Sequence, residues 1–256
     1  MRITATLKLL LLTAFASVAF AQSSPQAPSN QLTFIVANME RAQAAVNIPN
    51  HVKRDYKLGR PNASAAESEV IADVDFRAPG NYTVEQHSGS NMGPQIVKRV
   101  LAREVGIAVS SDKSRSAAVT RENYSFSFLG ETLLDGKSFY LLGLEPKRKQ
   151  PELVSGQAWV DKQSFLIRRI DGTIKSPSMW VKKIHTQLDF DFDPSQRMWV
   201  LSNMEAVADV RFLGARKLTS HVINYEATVV VAHKTAPPRI APKTRRATSA
   251  AALLSK

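Results

Sequence analysis

From residue 51 onward the chain alternates apolar and polar positions with few interruptions. Period-two alternation marks strands with one face turned inward. It predicts strands at "HVKRDYKL" (51–58), "SEVIADVDFR" (68–77) and "NYTVEQH" (81–87). Seven more follow: "NYSFSFLG" (123–130), "SFYLLGLE" (138–145), "SGQAWVD" (155–161), "SFLIRRIDG" (164–172), "VKKIHTQLDFDF" (181–192), "RMWVLSNMEAVADVRF" (197–212) and "RKLTSHVINYEATVVV" (216–231). Turn signals separate them: Asp135-Gly136, Asp161-Lys162, Asp171-Gly172, Asp193-Pro194 and Gly214-Ala215. Two stretches keep helical spacing instead. The first has Ser29 or Asn30 as N-cap, the stripe Leu32, Ile35, Val36, Met39, Ala42 and Val46, and Pro49 as its stop. The second starts near Pro94, with Ile96, Val97, Val100, Leu101 and Val105 on one side and Lys98, Arg99 and Arg103 on the other.

Strands joined by short turns pair antiparallel, so the order predicts a long meander. About ten strands in one twisted sheet must curl over their own inner face. Two helices are too few to cover both faces. The expected fold is therefore mainly β with two or more helices, a strongly curved antiparallel sheet or incomplete barrel, its concave side covered by helices.

Alternation also says which side chains share a face. Tyr124, Phe126 and Phe128 form one set; Ile184, Leu188, Phe190 and Phe192 form another; Met204, Ala206, Ala208, Val210 and Phe212 form a third. A two-residue turn at Gly214-Ala215 would place Thr219, His221, Ile223 and Tyr225 beside that third set. Bulky aromatics mixed with alanines either fill one another or enclose a pocket.

The chain ends change the picture of charge and location. "MRITATLKLLLLTAFASVAFAQ" reads as a secretory leader, with Arg2 and Lys8 before an apolar run and a small-x-small site ending at Ala21. Cleavage there implies an exported, periplasmic protein. Residues 22–30 read as a linker, 31–232 as one domain and 233–256 as a disordered basic tail. Of the twelve net positive charges, two lie in the leader and six in the tail, which leaves four for the body. The whole-chain charge is thus no sign of nucleic-acid binding, although the tail could touch a membrane surface.

Candidate chemistry is sparse. The absence of cysteine excludes disulfides, thiol catalysis, thiolate metal sites and acylation on cysteine. Asp189, Asp191 and Asp193 alternate with phenylalanines, but the glycine turn and distal glutamate of a calcium loop are lacking. "SGSNMG" (88–93) reads as a linker, or as an anion site at the helix start. His185 with Asp189 is the best acid–base pair available. No nucleophile elbow, P-loop or dinucleotide fingerprint occurs. The reading is of a non-enzyme with no cofactor and no metal.

The stretch "AWVDKQSFLIRRIDG" adds a resemblance. Trp159-Val160-Asp161, Ser164 and Phe165-Leu166-Ile167-Arg168 resemble a strand-turn-strand signature of the periplasmic lipoprotein-carrier and lipoprotein-sorting superfamily (LolA, LolB and RseB/MucB-like proteins). The preceding "GKSFYLLGLEPK" resembles the strand before it. The resemblance implies an incomplete barrel lidded by helices, whose concave face receives acyl chains of lipids or lipoproteins, with the hairpin as a wall. The lining expected on that basis is Tyr124, Phe126, Phe128, Trp159, Leu188, Phe190, Met204, Val210, Phe212, Ile223 and Tyr225. The alternative is an envelope sensor or scaffold that binds proteins through a sheet edge and the basic tail, without a ligand cavity.

Overall fold

The computed structural model describes residues 28–110, 116–175, 179 and 181–226; the leader, residues 22–27, the end of the last predicted strand and the basic tail lie outside them. Its elements are α1 (Pro28–Ala44), β1 (His51–Gly59), β2 (Ser68–Asp75), β3 (Asn81–Gly89), α2 (Met92–Ala108), β4 (Tyr124–Leu134), β5 (Lys137–Pro146), β6 (Val154–Asp161), β7 (Ile167–Ile174), β8 (Val181–Asp193), β9 (Met198–Val210) and β10 (Gly214–Glu226). Each alternating segment of the sequence thus forms a strand. All neighbouring pairs are antiparallel, in a single sheet ordered β3-β2-β1-β10-β9-β8-β7-β6-β5-β4.

That order departs from a plain meander at one place. β1 pairs with β10, the last strand described, and the sheet opens instead between β3 and β4, which are its two edges. The segment carrying α2 connects those edges. A strand pair so distant in sequence is invisible to turn signals, because nothing local specifies it.

Partner registers run a lane of side chains across one face: Phe128, Leu142, Ala158, Ile170, Leu188, Met204, Ser220, Tyr56 and Val70. Both helices pack on this face. Ile35, Val36 and Met39 of α1 join Leu142, Ala158, Val160, Ile167 and Ile170 in one buried cluster. Val97, Leu101 and Val105 of α2, spaced by four, join Val52, Tyr56, Val70, Ala72 and Val74 in a second. At the start of α2 the helix lies so near β2 that a Cβ on Gly93 would stand 2.0 Å from the Ser68 hydroxyl. "SGSNMG" therefore includes a packing contact at Gly93.

The sheet curls toward the helices. Although α2 sits over β1–β3, its Arg103 pairs at 3.1 Å with Glu152, in the loop before β6. Five strand spacings separate β1 from β6 in the sheet order. At about 4.8 Å each they would span roughly 24 Å if flat. The helix side is the concave side, as expected from strand number alone.

Two turn expectations need correction. Asp171-Gly172 is no turn: both residues lie inside β7, which runs unbroken to Ile174. The β9–β10 turn is Arg211-Phe212-Leu213, closed by Val210 against Gly214, and not Gly214-Ala215. In that register Ser220 faces Met204 and Leu218 faces Ala206, so Thr219 and His221 point to the convex face. A one-residue slip reverses every side chain. By contrast, the Asp161 turn forms as the sequence suggests. The Asp161 carboxylate accepts hydrogen bonds from the backbone N–H of Gln163 (3.0 Å) and Ser164 (2.7 Å) and from the Ser164 hydroxyl (2.8 Å). The turn swings Phe165, at φ +57°, against Phe34 of α1 and Tyr140 of β5. The Asp and Ser of the signature are thus turn closers.

Candidate functional site

Between the patches covered by α1 and α2, the concave floor crosses β6–β10 on small side chains. One lane runs Gly156, Gly172, Thr186, Ala206 and Leu218. The next, nearer the sheet end, runs Val154, Ile174, Ile184, Ala208 and Arg216. Ile184, Ala206, Ala208 and Val210 are half-buried and belong to neither buried cluster. Larger apolar residues, Leu188 on the α1 side and Met204 on the α2 side, bound the strip. The result is a shallow trough floored by glycine and alanine, with Thr186 and Arg216 as the polar members of its two lanes.

The sequence-derived lining falls into three groups. Tyr124 is buried under α1, its phenol oxygen accepting the Val154 N–H at 3.1 Å. Phe126, Phe128, Leu188 and Phe190 are half-buried against the same cluster, Phe190 stacked on Trp199 with ring centres 4.2 Å apart. Met204 and Tyr225 pack against the α2 cluster, and Val210 ends the trough. Trp159 alternates with the buried Ala158 and Val160, so it lies on the convex side. Phe212 is exposed in its turn, and Ile223 is exposed on β10. A β-bulge in β1–β10 explains why Tyr225, and not Ile223, turns inward: Arg54 pairs with Val222 but Lys53 with Asn224. The sequence reading missed Gly156, Gly172, Ile174 and Trp199. Gly172 was hidden because an Asp-Gly pair reads as a turn; its glycine spacing to Gly156 across β6–β7 is visible only once register is known.

Polar groups cluster where α2 meets the floor. Arg54, nearly inaccessible, donates to Glu104 of α2 at 3.0 Å. Burial works against its charge, but Glu104 and Tyr56 outweigh burial and raise the guanidinium pKa. Burial, helped by the Glu104 charge and opposed by Arg54, pushes the Tyr56 phenol up to about 12. On the convex side, Asp189 pairs with Arg169 at 2.5 Å and Asp191 with Arg168 at 2.9 Å. His185 faces Asp171 at 3.3 Å, so the anticipated His185–Asp189 pair does not form. Asp193 accepts from Ser195 and from the Tyr225 hydroxyl at 3.0 Å. Among the described residues no cluster of three His, Asp or Glu side chains could hold a metal ion.

A groove of about 440 Å³ opens on the convex side of β4–β6, lined by residues that include Ser125, Ser127, Leu129, Gly143 and Gln157. A second, of about 280 Å³, lies by the β5–β6 loop, with Arg148, Gln150, Thr173 and Ile174 in its walls.

No family model and no curated protein matches the chain. Solved structures do. A domain from Vibrio parahaemolyticus named for outer membrane lipoprotein sorting is similar at 10% identity, over 77% of this chain and 94% of its own, with a TM-score of 0.46. A DUF1329 family protein from Desulfovibrio piger is similar at 13% identity, over 80% and 95%, with a TM-score of 0.39. A LolA superfamily protein from Nitrosomonas europaea is similar at 9% identity, over 76% and 92%, with a TM-score of 0.36.

Proposed function

We propose that the chain is an exported carrier that holds an acyl chain, from a lipid or lipoprotein, along the trough between α1 and α2. The observation that carries this reading is the strip of Ile184, Ala206, Ala208 and Val210, apolar and half-buried on the concave face and outside both packed clusters. Each methylene withdrawn from water contributes about 0.8 kcal/mol, so hydrocarbon alone can bind there without polar recognition. The leader and the resemblance supply the setting, an envelope in which such cargo must cross water.

Native mass spectrometry of the purified protein tests the reading. Bound masses in the lipid range are expected, and Ala206→Trp, which fills the floor, should lower the loaded fraction about five-fold with the circular dichroism unchanged, as expected where one site of hydrocarbon burial is lost. A wild-type protein free of lipid, or equal loading in the variant, overturns it.

A specific observation supports the alternative of a protein-binding scaffold. β4 is an open edge; Leu129, which lines the convex groove, and Leu133, beyond the β-bulge on the same strand, are 49% and 71% exposed. Unpaired edge strands accept an added strand. Capture of a partner that is lost on Leu133→Lys, without any lipid in the protein, would favour that reading.

A further inference from the structure

The end of the sheet where β8 begins and β9 ends carries an unusual tip. The Val181–Val210 and Val210–Gly214 pairs close this end, so Met179, Phe212 and Leu213 all project past it. They are 78%, 87% and 50% exposed. Phe212 also holds φ +69°. Glycine or asparagine suits such a turn position, and a bulky side chain there is opposed by backbone sterics as well as by water.

The surroundings name a partner. Lys175, Lys182, Lys183 and Arg211 are exposed around the tip. Among the described residues, Asp209 pairs with one of them, Lys182, at 3.4 Å. Apolar and aromatic side chains at the point with cations behind them match a bilayer surface, where the former enter the acyl boundary and the latter meet anionic headgroups. A protein partner of comparable apolar content would not require a cationic collar. The trough ends here too, since its Ile184–Ala208 lane lies just inside the Val181–Val210 pair.

We infer that the β9–β10 turn, with Phe212 and Leu213 at its point and Met179 beside it, is a docking tip for an anionic lipid surface. It places the open end of the trough at the membrane. The inference stands on the tip's own exposure and charge, and holds whether or not the trough carries lipid.

The chain has no cysteine, so Phe212→Cys gives the full-length protein a single thiol for an environment-sensitive fluorophore. Lys137→Cys, at the first residue of β5 at the opposite end of the sheet, is the control. The probe vesicles are phosphatidylethanolamine with phosphatidylglycerol, and phosphatidylcholine alone. The label at 212 should brighten and be quenched by brominated acyl chains on the anionic vesicles alone, while the label at 137 stays constant. Lys182→Glu with Lys183→Glu should weaken that response about ten-fold, and added salt should do the same. An unchanged label at 212 on vesicles that bind the protein overturns the inference. So does an equal response at both positions, or a response to rising protein concentration without vesicles. The mass-spectrometric test of lipid cargo uses no vesicles, so failure there and failure here are separate results.

Discussion

Under α1 the concave lanes carry Leu142, Ala158, Val160, Ile167 and Ile170, with Tyr124 turned so that its hydroxyl meets a backbone amide. Under α2 the same lanes carry Arg54, Tyr56, Ser68 and Ser220 among the valines, and Glu104 enters from the helix. The α1 wing is held by apolar area and ring contacts. The α2 wing sets a nearly inaccessible Arg54 against a partly buried Glu104, and an ion pair in that setting stabilises little beyond what its own desolvation costs. Removing one partner is another matter, because the survivor stays buried and charged. The two wings should therefore answer differently to truncation, to salt and to pH.

Glu104→Ala should give the largest effect, roughly 3–5 kcal/mol lost in urea denaturation, since Arg54 is left unpaired. Replacing both, Arg54→Leu with Glu104→Leu, should return most of that loss. If the single variant costs no more than the double, the charge pair does not distinguish the α2 wing. Leu142→Ala, fully inaccessible under α1, should cost about 3 kcal/mol by cavity formation and lost burial, with no dependence on ionic strength. A clear salt dependence there would erase the contrast.

The pH response is the finest of the three. Tyr56 has its folded pKa raised to about 12, above the ordinary value of 10.0, so the neutral phenol is favoured in the folded state. Its contribution is complete below pH 10 and declines as pH climbs through 12. Over that interval the wild type should lose roughly 2–3 kcal/mol that Tyr56→Phe does not lose. Parallel stability curves for the two proteins between pH 10 and 12 would show that Tyr56 does not titrate from a buried site.

Much of the fold could be read locally. Each alternating run became a strand, and the Asp135, Asp161 and Asp193 signals mark turns. Asp171-Gly172 misled because its glycine serves a different end: a Cβ on Gly172 would stand 2.4 Å from the Ser155 carbonyl oxygen across the pair. Of the lining residues, the set on β4 and β8 and Met204 share the concave face, whereas Trp159 was placed by motif alone and lies on the other side. Faces within one strand follow from parity. Faces between strands depend on bulges, and those at Lys53/Arg54, Trp159/Val160 and Asp189/Phe190 each shift the count.

By itself the sequence determined the strands, the apolar side of each and the two helical stripes, because those depend on neighbours a few residues apart. Tertiary structure alone decided that β1 pairs with β10, that the sheet opens at β3 and β4, and that Arg54 is buried against Glu104. It also brought glycines and alanines from β6, β7 and β9 into one trough floor. The reason is common to all of these: hydrogen bonding between distant strands fixes a register that no single segment encodes, and register decides which side chains share a surface.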